Sequence, residues 1–456
     1  MERPGYIVFT LRSGEALGNV PAHLDDLIGS GRAASSLDRG PLDRALRHRG
    51  DGFRAVTVFH ARRSLNVPGE QHRGFDDVEE ELGLSRTYRV RLADPAATPW
   101  VVDRLRSLPA VESAAPQALA TAPFAAAPAA LADQPNAELA AAPHTMIRAA
   151  EALALEPGDE RVTVACVDSG VSLGHSELQR KLLAGYDTVD LGLGQVGAGM
   201  RLIGDSRGHD FSPLDDVGHG THVAGIIAAQ GWRMPKGVAG RALLLPIRVL
   251  AAALPRRARQ PVGIGALPDI DAGMKVAVDL GAHVINMSFG TRAQAMDEGA
   301  PPPHAAVVGY ATRYGCVLVA AAGNSGEREG FYPAVLPQVI AVGSVDLQGR
   351  RSRFSTYGDH IAIAAPGEQI VSAERRGYRA ASGTSFASPF VAAAAALLVA
   401  RSRRQRGSNP KPETVRRALL ASARSRGGPE PDPETGHGVL DVAAALDHLD
   451  RLEAPA

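Results

Sequence analysis

The chain has 456 residues, 49 basic and 49 acidic side chains and a formal net charge of zero, so it is long enough for more than one domain of ~100–200 residues and offers no bulk charge for a nucleic-acid partner. Its two cysteines, Cys166 and Cys316, lie in apolar runs, which predicts two buried free thiols, with a disulfide between them as the alternative, and does not demand an oxidising compartment. The N-terminus shows no signal-peptide h-region, and no apolar stretch nears the ~20 residues of a membrane span (392–400 is too short), so a cytoplasmic protein without a span is expected, with secretion left open.

Taken in chain order, strand-like runs at 6–11, 53–60 and 88–92 precede a helical spacing at 100–108 and a short strand at 111–114, by the periods of 2 and 3.6. Residues 1–118 therefore read as a separate α+β unit. Residues 119–143 are rich in Ala and Pro with Asn and Gln, a composition that builds no core; they read as an exposed linker, either a plain tether or a zone of self-processing. Residues 144–448 read as a second domain. Short Val/Ile/Leu/Ala runs at 162–167, 242–249, 284–287, 317–322 and 339–345 alternate with helical segments, the pattern of a parallel sheet buried between helices. A closing helix is expected over 436–446, and 449–456 is a tail.

Three motifs carry chemistry. The run 161–167 ends in Asp168, followed by Ser169-Gly170. In Gly218-His219-Gly220-Thr221-His222 a histidine opens an apolar helix, and in Gly383-Thr384-Ser385-Phe386-Ala387-Ser388-Pro389 a serine opens an Ala-rich one. A serine hydroxyl needs a base to remove its proton, and a helix N-terminus favours developing negative charge. Asp168, His219 and Ser385 supply orienter, base and nucleophile in the order Asp…His…Ser. Each alone has a plainer reading: a strand-end acid, a satisfied histidine, an N-cap. His222, three residues after His219, has a metal-binding alternative that lacks the glutamate of a zinc-peptidase signature; it reads as structural.

These motifs resemble those of subtilisin-like (subtilase) serine peptidases over about 145–446. The resemblance implies a three-layer α/β fold with a mostly parallel sheet, and hydrolysis of peptide bonds through an acyl-enzyme. It assigns Asn324, in Val319-Ala320-Ala321-Ala322-Gly323-Asn324-Ser325-Gly326, as an oxyanion donor. It assigns Ser288, Phe289 and Gly290 with Gly323 to the substrate pocket, and Gly263 and Gly265 to the opposite rim, although 254–261, with Arg256, Arg257 and Arg259, departs from the family and reads as an insertion. Phe331 replaces the small residue expected before Tyr332-Pro333, which implies a shortened pocket and small substrate side chains. Residues 87–118 resemble an inhibitory propeptide, so the N-terminal unit is expected to inhibit its own enzyme; residues 1–86 match nothing. No cofactor is required for this chemistry. Structural calcium is common in the family, and Asp205, Asp210, Asp215 and Asp216 are the candidates, with solvated loop acids, and for Asp215-Asp216 the turn into His219, as the alternative. Two other functions stay open: a regulatory protein whose N-terminal unit never leaves, and a processing enzyme for one peptide precursor.

Overall fold

Antiparallel pairing builds the first part of the chain. The computed structural model describes residues 2–18, 20–21, 33–62, 74–122, 132–192, 196, 199–256, 260–296, 300–425, 427 and 431–454. Strand β1 (Glu2–Leu11), helix α1 (Pro41–Leu46), strand β2 (Phe53–Thr57), helix α2 (Asp77–Glu81), strand β3 (Thr87–Leu92), helix α3 (Thr98–Arg106) and strand β4 (Val111–Ala122) form the N-terminal unit. Alternate residues of β1 (Ile7, Phe9, Leu11) turn inward against Val101, Val102 and Leu105 of α3, as a period of two on a strand and a stripe on a helix require.

The second unit follows in order. Helices α4 (Ala137–Met146) and α5 (Ala149–Leu155) lead to β5 (Thr163–Asp168), β6 (Tyr186–Asp187), β7 (Met200–Ile203), α6 (His219–Ala228), β8 (Leu243–Arg248), β9 (Ala251–Pro255), β10 (Val262–Ala266) and α7 (Leu267–Asp279). Then come β11 (Val284–Met287), β12 (Thr291–Arg292), α8 (Ala305–Arg313), β13 (Val317–Ala321), β14 (Phe331–Tyr332), β15 (Val339–Val345), β16 (Ile363–Pro366), β17 (Ile370–Ala373), β18 (Tyr378–Ala381), α9 (Thr384–Arg406), α10 (Pro412–Ala421) and α11 (Val442–Leu452).

The central sheet runs β16-β15-β13-β11-β5-β8-β6, with parallel pairing throughout. Along β5, Val164 and Cys166 face one core, with α6 and α9, while Ala165 and Val167 face another, with α7 and α8. Strands buried on both faces have no polar side, so they read in sequence as continuous apolar runs. The apolar run at 392–400 is part of the 23-residue α9. By length and composition α9 could cross a membrane, yet 94% of its apolar window is buried inside this domain, as befits a core helix. Cys166 and Cys316 are buried free thiols on opposite sides of the sheet.

Four features differ from the sequence expectation. Strand β4 does not stop at 114 but runs to Ala122, so the linker cannot begin at 119. Its far end pairs with β10 (Gly263↔Ala122, Gly265↔Ala120), which joins both units in one sheet, β2-β3-β1-β4-β10-β9-β7. At the other end of the linker, Asn136 accepts a bond from the Leu139 N–H at 2.9 Å and caps α4 from Ala137 onward; residues 123–131 lie outside the described residues. The expected insertion at 254–261 is flanked by β9 and β10, which pair with each other and are backed by β7; Arg256 lies just past β9, and Arg257 and Arg259 lie outside the described residues. Finally, the closing helix begins at Val442, capped by Asp441 (Ala444 N–H to Oδ1, 2.9 Å), and not at 436.

Buried polar contacts fasten the N-terminal unit to α7 and to Asp190. The Arg89 guanidinium donates to Gln117 Oε1 at 2.8 Å, to Asp269 Oδ1 at 2.7 Å and to the Asp190 carbonyl at 2.8 Å. Glu79, wholly buried, meets Lys275 Nζ at 2.5 Å, and Lys275 also pairs with Asp279 at 2.7 Å.

Candidate active site

Asp168 is the last residue of β5, at the carboxyl end of a parallel strand, where open α/β sheets place their ligands. Its Oδ1 accepts from the Ser169 N–H at 2.7 Å and lies 2.8 Å from His219 Nδ1. Both side chains are fully buried. The contact assigns the proton to Nδ1 and turns Nε2 into the acceptor. Close approach explains the glycine after the histidine: a Cβ on Gly220 would lie 2.2 Å from the Gly170 carbonyl and 3.1 Å from Asp168 Cβ, so any side chain there would push the helix off the acid.

Burial alone would lower the imidazole pKa, but the Asp168 carboxylate, aided by Asp215 and Glu374, outweighs it and holds His219 above its ordinary value. His222 takes the opposite course. It is buried, sits beside His219, and is pushed down to about 3; its Nε2 lies 3.0 Å from the Ile370 carbonyl. A neutral imidazole tied to backbone is the structural histidine that the sequence suggests.

Asp215 shapes the turn into His219. Its Oδ1 accepts from Ser169 Oγ at 2.9 Å, the Val217 N–H at 2.9 Å and the Gly218 N–H at 2.8 Å, while Oδ2 accepts from the Thr221 N–H and hydroxyl at 2.9 and 2.6 Å. The other calcium candidates also serve local turns: Asp205 accepts from the Arg207 N–H, Asp210 from the Ser212 N–H, and Asp216 from the Asp205 N–H and Arg248. Among the described residues, no group of three or more His, Cys, Asp or Glu side chains is placed to hold a metal ion.

Ser385 is the second residue of α9. Its hydroxyl donates to the Ser288 carbonyl at 3.1 Å. Sequence reasoning gave Ser288 to the pocket wall and missed its second task. The Ser288 hydroxyl donates to the Ser385 carbonyl at 2.9 Å, accepts from Asn286 Nδ2 at 2.9 Å and meets Ser388 Oγ at 3.0 Å. That buried network pins the first turn of α9 to the end of β11, and its signal was only a pair of polar residues in an otherwise apolar strand. Asn324 Oδ1 accepts from both the N–H and the hydroxyl of Thr384, each at 2.9 Å, so the amide oxygen is turned to α9 and the nitrogen lies at the other end.

Ser288, Phe289, Gly290, Gly323, Asn324, Phe331 and Ser385 line one cleft of about 250 Å³. The Phe331 ring stands between its two walls: a Cβ on Gly323 would lie 2.6 Å from the ring and one on Gly290 3.2 Å from it. The end of β4 runs between Gly290 on one edge and Gly263 and Gly265 of β10 on the other. Thr121 exchanges both main-chain bonds with Gly290, N–H to carbonyl at 3.3 Å and the reverse at 3.1 Å, while Ala120 and Ala122 face β10. Residues 119–122 thus occupy the cleft as an added strand, a role that no local signal in a low-complexity segment announces.

Comparison with known proteins places this geometry. The family model described as "Subtilase family" matches residues 159–438. The chain is 40% identical over 248 residues to "Thermophilic serine proteinase" from Bacillus sp. (strain AK1), a match covering 54% of each chain, so it spans about half that relative's length. It is 36% identical over 244 residues to "Thermitase" from Thermoactinomyces vulgaris, covering 53% of this chain and 75% of the relative. Among solved structures, "Structure of Prenylagaramide maturation protease PagA" aligns with a TM-score of 0.51 and 29% identity, covering 66% of this chain and 98% of that one.

Proposed function

Because the chain belongs to the subtilase family, we propose that it is a serine endopeptidase made as a self-inhibited precursor. The observation that carries this reading is the strand 119–122, hydrogen-bonded to Gly290 and paired with β10, whose Thr121 lines the same cleft as Ser385. In the proposed reaction Ser385 Oγ attacks the scissile carbonyl carbon, and His219 Nε2 takes the hydroxyl proton and returns it to the leaving amine. Asp168 holds the Nδ1–H and stabilises the imidazolium. Water then repeats the sequence on the acyl-enzyme. The Asn324 amide nitrogen and the Ser385 backbone N–H are the proposed oxyanion donors. Rotation of the Ser385 hydroxyl from the Ser288 carbonyl to His219 precedes attack; loose contacts of this kind in a resting site tighten with substrate bound. Phe331 limits the pocket to short side chains. The N-terminal unit inhibits because its last strand fills the substrate's place, and the buried Arg89–Asp269 and Glu79–Lys275 contacts keep it there.

The test is intact mass of the wild type beside Ser385→Ala, followed over hours, with a fluorophosphonate probe added at each time. Wild type that takes up one probe and shortens within 119–145, beside an inert Ser385→Ala, supports the proposal. Wild type that never reacts, even after the N-terminal unit is removed by an added protease, overturns it.

A further inference from the structure

Two positions of the strand in the cleft, 120 and 122, carry alanine. Residues directly opposed in an antiparallel pair project to the same face, so Ala122 opposite Gly263 and Ala120 opposite Gly265 share one face of the sheet. Added Cβ atoms locate what lies under that face. On Gly263 one would lie 3.1 Å from Leu250 Cδ1 and 3.5 Å from Ala122 Cβ; on Gly265 one would lie 2.4 Å from the Val249 carbonyl, 2.8 Å from Leu250 Cδ2 and 3.2 Å from Ile270 Cγ1. Leu250 and Ile270 are themselves fully buried, as are Ala120 and Ala122. Thr121, between them, is half-buried and alternates to the other face.

The rim cannot swing away to make room. On its far side β10 is paired with β9 through Val262, Gly263 and Ile264, β9 is paired with β7, and Ala251, Ala252 and Ala253 are fully buried. A close-packed wall of this kind resists extra methylenes, which force off-rotamer side chains or backbone shifts.

We infer that the two inward-facing substrate positions, those filled here by Ala120 and Ala122, admit only Ala-sized side chains, that Leu250 sets the limit, and that the substrates are extended segments with Ala, Gly or Ser at both positions. This rests on the peptidase reading of the cleft, and it deepens that reading by naming the substrate class.

The test uses the full chain. Ala122→Leu and Ala120→Leu are expected to lift β4 from β10, so that the amides of Gly263 and Gly265 exchange with solvent at least ~10-fold faster, while those of β5 keep their wild-type rate and report an intact fold. Thr121→Leu, on the other face, is expected to leave exchange unchanged. Leu250→Ala combined with Ala122→Leu is expected to return protection toward wild type. In the activated enzyme, a peptide library varied at the two positions is expected to favour Ala, Gly and Ser over Leu and Phe by ~10-fold or more. Leucine at 122 with wild-type protection, a double variant without recovery, or a library preference for large residues overturns the inference. Fluorophosphonate labelling of the same samples separates the two readings: loss of protection without labelling in any variant sinks the peptidase and leaves the steric limit, whereas labelling with unchanged protection does the reverse.

Discussion

Arg89→Met tests what holds the N-terminal unit in place. Methionine keeps an apolar stem of similar reach and removes only the guanidinium. The substitution removes the hydrogen bonds to Gln117 within the N-terminal unit and to Asp269 and the Asp190 carbonyl across the interface, and the ion pair with the Asp190 carboxylate at 3.7 Å. Asp269 has only 2% of its side chain exposed, and burial already raises its pKa to about 6. Stripped of Arg89, it keeps the Asp190 N–H at 3.0 Å and the more distant Arg3 charge. Breaking a buried pair by removing one partner costs about 3–5 kcal/mol, which at 1.4 kcal/mol per tenfold is on the order of 10²–10³ in the docking equilibrium. The assay is the rate at which a fluorophosphonate labels Ser385 in the full chain at pH 8, where the open fraction limits access. Labelling at least ~10²-fold faster than wild type is expected, with unchanged labelling of enzyme already freed of the N-terminal unit. A full-chain rate equal to wild type would refute the reasoning, since the buried pair would then contribute nothing to closure.

The site supports further tests. Asn324→Ala is expected to lower kcat by on the order of 10²–10³ with little change in KM, because the amide is proposed to meet charge that exists only in the transition state; steady-state kinetics on one peptide checks this. His219 must be neutral to act as base, and its pKa is raised, so the acid limb of kcat/KM is expected to lie above the ordinary histidine value of about 6.5; activity flat from pH 8 down to pH 6 would contradict the Asp168 contact. Phe331→Gly is expected to move the preferred residue before the cut from small to large aromatic side chains, read from a peptide library. Glu177 is fully buried and accepts from the N–H groups of Gly231, Trp232 and Arg233 at 2.9, 3.1 and 2.7 Å and from the Tyr378 hydroxyl at 3.2 Å, so Glu177→Ala removes the acceptor shared by four donors and is expected to cost about 1–3 kcal/mol, seen as a lower midpoint in denaturant.

What could be seen in the sequence is what chemistry or burial forces on residue type. A nucleophile, a base and an orienter leave few choices at 385, 219 and 168, and strands buried on both faces must be apolar end to end, so β11 and β15 fall where expected, at 284–287 and 339–345. What was hidden depends on partners distant in sequence. Ser288 is a pocket residue until α9 arrives beside it. The clearest case is 119–122. Leu-Ala-Thr-Ala has weak strand propensity, and an Ala/Pro-rich neighbourhood argues for a linker. It is a strand because Gly290 on one side and β10 on the other supply the main-chain bonds that the segment cannot supply for itself. The small side chains that erase the strand signal are the same ones that let the backbone reach both rims above Leu250. A more strand-like sequence, richer in Val and Ile, would have been easier to read and would not have fitted.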